Sequence, residues 1–191
     1  MYQRFIQKNV ENLLFKGKII ILYGPRQSGK TTLVKAILSQ FGEDGAYFNC
    51  EVDSVKKELQ TPEPSKLKSF FGTKKIIVLD EAQSIENIGR ILKTFVDAYP
   101  AQQIIATGSS SFDLANKINE PLTGRSIEFL LLPLSFGEII ASDGLPSLKS
   151  YEETIFRFGL YPGIYTHRES QELARRELEN IQTHYLYKDI L

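Results

Sequence analysis

At 191 residues the chain suits one ordinary domain with room for a small appendage. A composition 42% hydrophobic and 24% charged is that of a soluble globular protein, which excludes a largely disordered one. Lys plus Arg, 23, equals Asp plus Glu, 23, so no global field steers the protein to nucleic acid or acidic lipid, and any such contact must use a local patch.

The N-terminal string MYQRFIQKNVENLLFKGK lacks the apolar stretch of a signal peptide, and Phe5, Ile6, Val10, Leu13 and Leu14 recur at helical spacing instead. Five short apolar runs follow, at residues 18–23, 46–50, 75–79, 103–107 and 127–132. They are mostly β-branched or aromatic and nearly continuous, the pattern of strands buried on both faces of a parallel sheet. Helical patterns lie between them. Leu33, Ile37, Leu38 and Phe41 mark one face of a helix over 30–41. The string TPEPSKLKSFFGTKK reads as a polar connector followed by a short helix. Ser84 is the expected N-cap of a longer helix with Ile85, Ile88, Leu92, Phe95 and Tyr99 on its buried stripe, stopped by Pro100. Strands alternating with helices predict an α/β doubly wound sheet.

Asp143-Gly144 and Pro146 break any helix and close the sheet domain, which gives a core over 1–145 and a C-terminal helical segment over 146–191. That segment reads as two helices around a Gly-Pro turn, the last with Ala174, Leu178, Ile181 and Tyr185 on one face. The apolar runs IIIL and FLLL are far too short to span a bilayer, so no membrane role is expected. Cys50 is the only cysteine, which forbids an intramolecular disulfide and suits a reducing, cytoplasmic setting.

Chemistry concentrates in a few strings. Gly24-Pro25-Arg26-Gln27-Ser28-Gly29-Lys30-Thr31 fits G-x-x-x-x-G-K-[ST], with a predicted strand before it and an amphipathic helix, continuing through Thr32, after it. In such a loop successive N–H groups and the helix N-terminus surround a β-phosphate. Lys30 would add a full charge near the β- and γ-phosphates, and the Thr31 hydroxyl would ligate Mg²⁺. Asp80 and Glu81 end the third apolar run; Asp80 can hold the magnesium shell and Glu81 can polarise an attacking water. The fourth run ends in Thr107, Ser109, Ser110 and Ser111, where a hydroxyl can bridge γ-phosphate and water, or simply cap the helix expected from Phe112.

Arg125, just before the fifth run, suits either an arginine acting on a neighbouring copy's γ-phosphate or a surface residue paired with Glu120 or Glu128. Arg26 is expected to fix loop shape or touch the nucleotide edge, and Arg90 is a lesser candidate on an exposed helix face. Asn116-Lys117-Ile118-Asn119 lacks the aspartate of the guanine-reading string Asn-Lys-x-Asp, which favours adenine. His167 and His184 have no acidic companions for a metal site, and Tyr185 and Tyr187 read as packing residues.

The strings LYGPRQSGKTTL, YFNCE, IIVLDEAQSIENIGRILKTFVD, IIATGSSSFDLANKINEPLTGR, LLPLSFGEI and YLYKDIL appear in one order from about residue 18 onward. With them the chain resembles the prokaryotic AAA-type ATPases whose P-loop domain precedes a C-terminal domain of unknown function, DUF4143. The resemblance implies an AAA+-like three-layer αβα core with a five-stranded parallel sheet of order 5-1-4-3-2. It also implies ATP and Mg²⁺ held by Lys30, Thr31 and Asp80, a catalytic Glu81, a sensor at Ser109–Ser110, and Arg125 in an LxGR string before the fifth strand. Relatives continue past YLYKDIL into a second domain that recognises a partner protein or DNA, and they commonly carry an acidic residue where Gly163 stands.

Three functions follow as expectations. The first is a Mg²⁺-dependent ATPase yielding ADP and phosphate, with a homo-oligomer if Arg125 acts in trans. The second is a nucleotide-binding assembly module with little hydrolysis in isolation. The third, a small-molecule kinase, needs an acceptor site that no string supplies.

Overall fold

Strands β1 (Ile19–Tyr23), β2 (Gly45–Asn49), β3 (Ile76–Asp80), β4 (Gln103–Gly108) and β5 (Ser126–Leu130) form one sheet in the order β2-β3-β4-β1-β5. Every pairing is parallel, with Ile20 opposite both Ile105 and Ile127, and Val78 opposite Ile105. This is the order 5-1-4-3-2 expected of the chain. The computed structural model describes residues 2–109 and 122–183. Of these, residues 6–24, 30–109 and 122–131 form one compact unit, and residues 2–5, 25–29 and 132–183 form another.

In the sheet unit, alternation along each strand decides which layer a side chain enters. Ile20, Leu22, Ile76, Val78 and Ile105 pack with Val10 of α1 (Phe5–Asn12) and with Leu33, Val34 and Ile37 of α2 (Lys30–Leu38). Ile19, Ile21, Ile77, Leu79 and Ala106 face the other way, onto Leu67 and Phe71 of α4 (Pro64–Phe71) and onto Ile88, Leu92 and Phe95 of α5 (Ile88–Ala98). A short α3 (Asp53–Glu58) precedes α4. Helices on both faces therefore bury β1, β3 and β4 almost completely, which is why their sequences run apolar without alternation.

The edge strands differ from the reading of five fully buried runs. β2 is half-buried throughout, and β5 exposes Leu130, because an edge strand has a neighbour on one side only. The helix expected from Ser84 also begins later. Ser84 ends a 3₁₀ turn (Ala82–Ser84), and left-handed Asn87, at φ 56°, interrupts the backbone before α5 starts at Ile88. Ile85 is buried all the same, from outside the helix. Likewise α2 stops at Leu38 and passes into a 3₁₀ segment (Ser39–Asp44) around left-handed Gly42.

The other unit carries α6 (Phe136–Ser150), α7 (Glu152–Phe158), α8 (Pro162–Thr166) and α9 (Gln171–Ile181). α6 opens on a capping box in which Ser135 Oγ accepts from the Glu138 N–H while the Glu138 carboxylate accepts from the Ser135 N–H. The break expected at Gly144 and Pro146 is a kink within α6, where Gly144 has φ 82° and ψ 159°. Leu134, Ile139, Ile155 and Tyr165 make one small core, and Phe158, Ile164, Ala174 and Ile181 another. Tyr185, Tyr187 and His184 lie outside the described residues. Among the described residues no helix is long and apolar enough to cross a membrane.

Candidate functional site

Parallel strands deliver all their C-terminal ends to one edge of the sheet, the edge where open α/β folds bind ligands. β1 arrives there at Tyr23, whose carbonyl accepts from the Leu131 N–H at 2.8 Å. Gly24 follows at φ 154°, and a Cβ there would stand 2.1 Å from the Leu131 carbonyl oxygen. Only glycine fits so close to a neighbouring backbone. α2 begins with Lys30, which is buried and folds its Nζ back to donate to the Gly24 carbonyl at 2.9 Å. Thr31 comes next and donates its Oγ1–H to Asp80 Oδ2 at 2.7 Å. Thr32 is exposed.

Asp80, at the end of β3, is buried and is the hub of the site. Thr31 and Tyr47 donate to its Oδ2, Tyr47 at 2.6 Å, and Thr107 donates to its Oδ1. Three hydroxyls thus satisfy one buried carboxylate and fix its orientation. Thr107 also accepts the Glu81 N–H at 3.1 Å, and Glu81 itself sits in the left-handed region at φ 55°. Non-glycine residues enter that region rarely, and tethers of this kind are what hold them there. The Glu81 carboxylate accepts from Gln83 Nε2 at 2.5 Å, and the same amide reaches Ser109 Oγ at 3.1 Å.

Burial, then the hydrogen bond to Asp80 and the nearby carboxylate charges, pushes the Tyr47 phenol well above its ordinary range, so Tyr47 stays a donor. Burial first, then the charges of Asp80 and Glu81, pushes the Cys50 thiol up to about 12.

Gly24, Lys30, Thr31, Asp80, Glu81 and Ser109 therefore share the C-terminal edge of the sheet unit. Residues 25–29, which link Gly24 to Lys30, belong to the other compact unit. There Ser28 donates its N–H to the Pro25 carbonyl at 3.3 Å, Gln27 is left-handed at φ 61°, and Gly29 has φ 98°. Ser28 Oγ is fully buried with no hydrogen-bond partner among the described residues. Pro25 and Arg26 are half-buried.

Arg125 is not with the others. Its carbonyl accepts from the Ile19 N–H at 2.9 Å, at the start of β1, and Nε pairs with Asp97 at 2.7 Å. The length of β5 separates it from the Asp80 edge, about 17 Å at strand rise. Arg90 is exposed on α5. Ser110, Ser111, Glu120 and the Asn116–Asn119 string lie outside the described residues.

Magnesium fits this donor set. It keeps several waters and takes one or two protein donors beside substrate phosphates. A carboxylate and a hydroxyl 2.7 Å apart supply that much, and buried Lys30 is the residue next to Thr31. Among the described residues no group of three or more His, Cys, Asp or Glu offers an all-protein cage.

Residues 16–140 match the model of a family described as an AAA domain. An uncharacterized protein of Methanocaldococcus jannaschii is 26% identical over 98% of this chain and 45% of its own length. An uncharacterized protein of Mycobacterium tuberculosis is 32% identical over 59% of this chain and 24% of its own. The chain thus spans less than half the length of these relatives. Among solved structures, a Walker-type ATPase of Pyrococcus abyssi is similar across 100% of this chain and 75% of its own, with a TM-score of 0.67 at 18% identity. The replication initiator DnaA, bound to AMPPCP and single-stranded DNA, is similar across 93% of this chain and 59% of its own, with a TM-score of 0.54 at 15% identity. At those identities the likeness shows the fold.

Proposed function

The chain belongs to the AAA domain family, and from that premise we propose that it binds ATP with Mg²⁺ and hydrolyses it to ADP and phosphate. The observation that carries the reading is the Thr31–Asp80 hydrogen bond beside buried Lys30, with Glu81 one residue further on. Mg²⁺, when bound with the nucleotide, neutralises charge on the phosphate oxygens. Thr31 and Asp80 would hold it. Lys30 would exchange the Gly24 carbonyl for a phosphate oxygen, a charge-assisted bond stronger than the one it leaves. The loop over Pro25, Arg26, Gln27, Ser28 and Gly29 would wrap the phosphates, Pro25 setting its turn without an N–H of its own and the N–H groups of Arg26, Gln27 and Gly29, with that of Thr32, facing the phosphate oxygens. Glu81 would take a proton from the attacking water, and Ser109, with Ser110, would orient that water. Tyr47 and Thr107 would keep Asp80 aimed while it holds the metal shell.

A second reading rests on one contact. Gln83 Nε2 donates to Glu81 Oε2 at 2.5 Å, so that oxygen must give up Gln83 before it can take a proton from water. On that reading the domain binds nucleotide and controls assembly with little turnover in isolation. Arg125 in trans would serve a homo-oligomer once it releases Asp97, an exposed pair of the kind that contributes little. Coupling to a protein or DNA partner, the expectation drawn from the resemblance to ATPases with a DUF4143 domain, belongs to either reading. The buried, lone Cys50 and a need for ATP both favour the cytoplasm. Phosphate release with and without Mg²⁺, beside molecular mass with and without ATP, tests the pair. Mg²⁺-dependent release supports hydrolysis, ATP-dependent oligomers without release support the assembly module, and neither response refutes both.

A further inference from the structure

Arg4 has no place in the nucleotide chemistry above, yet its guanidinium is nearly buried and uses all of its nitrogens. Nε donates to Glu138 Oε1 at 3.0 Å, and Nη2 donates to the carbonyls of Leu132 at 2.6 Å and Pro133 at 3.3 Å. Nη1 donates to the Ser28 carbonyl at 2.7 Å, inside the candidate phosphate loop. Glu138 is itself fixed. Its Oε1 also accepts the Phe5 N–H at 2.9 Å, and its Oε2 accepts the Ser135 N–H and Oγ–H at 2.9 and 3.1 Å. The guanidinium is thus anchored to the start of α6 and gripped onto one carbonyl of the loop.

That carbonyl matters because of peptide geometry. Among the described residues the peptide bonds are all trans, and in a planar trans peptide the C=O and the following N–H point in opposite directions. A grip on the Ser28 carbonyl therefore turns the Gly29 N–H away from Arg4. Without the grip, the Ser28–Gly29 peptide could rotate, since Gly29 tolerates many backbone conformations. Arg4 also lies directly beside this peptide, for a Cβ at Gly29 would stand in ordinary contact, 3.5 Å, from Arg4 Nη1.

We infer that Arg4, anchored by Glu138, is a positioning residue for nucleotide binding: it locks the Ser28–Gly29 peptide so that the Gly29 N–H is presented to a phosphate oxygen. The inference rests on the ATP-binding reading. Lysine cannot substitute, because its single nitrogen cannot reach Glu138 and the Ser28 carbonyl with the spacing of the guanidinium fork.

The test titrates Mg·ATP into the full chain and into Arg4→Lys, Glu138→Gln and Arg168→Lys, with a thermal melt of each. Arg168 pairs with Asp143 at 3.2 Å in the same compact unit, so its variant reports general weakening of that unit. The expected result is a Kd raised at least about tenfold in Arg4→Lys and about threefold in Glu138→Gln, one misaligned charge-assisted donor being enough for the larger effect. Arg168→Lys should melt as low as Arg4→Lys while its Kd stays within about twofold of the parent. Parental affinity in a folded Arg4→Lys overturns the inference, as does affinity falling in step with melting temperature across all three variants. A parent chain that binds no ATP sinks the ATP reading, and the inference with it.

Discussion

Replacing Thr107 by valine preserves volume and removes one hydroxyl, and the structure gives that hydroxyl two tasks. It donates to Asp80 Oδ1, and it accepts the Glu81 N–H at 3.1 Å. Thr107 is completely buried, so water does not replace it in place. A lost hydrogen bond to a charged acceptor is worth about 1.5–3 kcal/mol, and a stranded N–H adds about 1 kcal/mol or more. Valine returns roughly 1 kcal/mol through its extra apolar surface, which leaves a net loss of about 3 kcal/mol. Serine at the same position keeps both hydrogen bonds and loses one buried methyl, about 1 kcal/mol. With a urea m-value near 2 kcal/mol/M, the midpoint should fall about 1.5 M for Thr107→Val and about 0.5 M for Thr107→Ser. The order carries the test. If serine lowers the midpoint more than valine does, packing rather than hydrogen bonding sets the stability at this position, and the hub role of Asp80 fails.

Two further predictions follow from the same geometry. Gly24→Ala drives a methyl to 2.1 Å from the Leu131 carbonyl, so the β1–β5 junction must open, at a cost of about 3 kcal/mol or more, read as a lower urea midpoint. Burial alone would raise the Glu138 carboxyl, but the Ser135 and Phe5 N–H groups and the Arg4 side chain outweigh it and hold the pKa below the ordinary value of 4.5. A lowered pKa in the folded state contributes stability that is complete above the ordinary value and is lost as pH falls through the folded one. The parent should therefore lose stability below about pH 4.5, and Glu138→Gln should be less stable at neutral pH with a flatter acid limb in melts from pH 6 to 3.

The sheet was legible because its signal is local. Apolar runs of five or six residues, punctuated by Gly24-Pro25 or Asp80-Glu81, mark both the strands and the loops that leave them. Their order in the sheet came from the resemblance, since a run does not state its neighbour. Exposure of β5 was not legible, because an edge strand can be as apolar as a central one. The late start of α5 was hidden too, for left-handed Asn87 has no counterpart in the helical periodicity around it.

Within the candidate site, contiguous residues were found and distant ones were missed. Lys30, Thr31, Asp80 and Glu81 stand in short strings with known chemistry. Tyr47 reaches Asp80 only because β2 pairs with β3 so that Tyr47 faces Val78, two residues along the same face from Asp80. Gln83 carried no signal of its own in the sequence, and its amide joins Glu81 to Ser109. Arg4, 24 residues from Ser28, had no signal beyond a charged residue just before an apolar helical pattern. A buried arginine at the edge of an amphipathic stretch could have been flagged as needing partners.

Single-turnover hydrolysis of Mg·ATP by the parent and by Glu81→Gln decides whether Glu81 activates the water. Glutamine keeps the shape of the side chain and removes its ability to take a proton. A role for Glu81 as the base predicts unchanged ATP affinity and a hydrolysis rate at least about a hundredfold lower in the variant. Equal rates in the two proteins, at equal affinity, would contradict it.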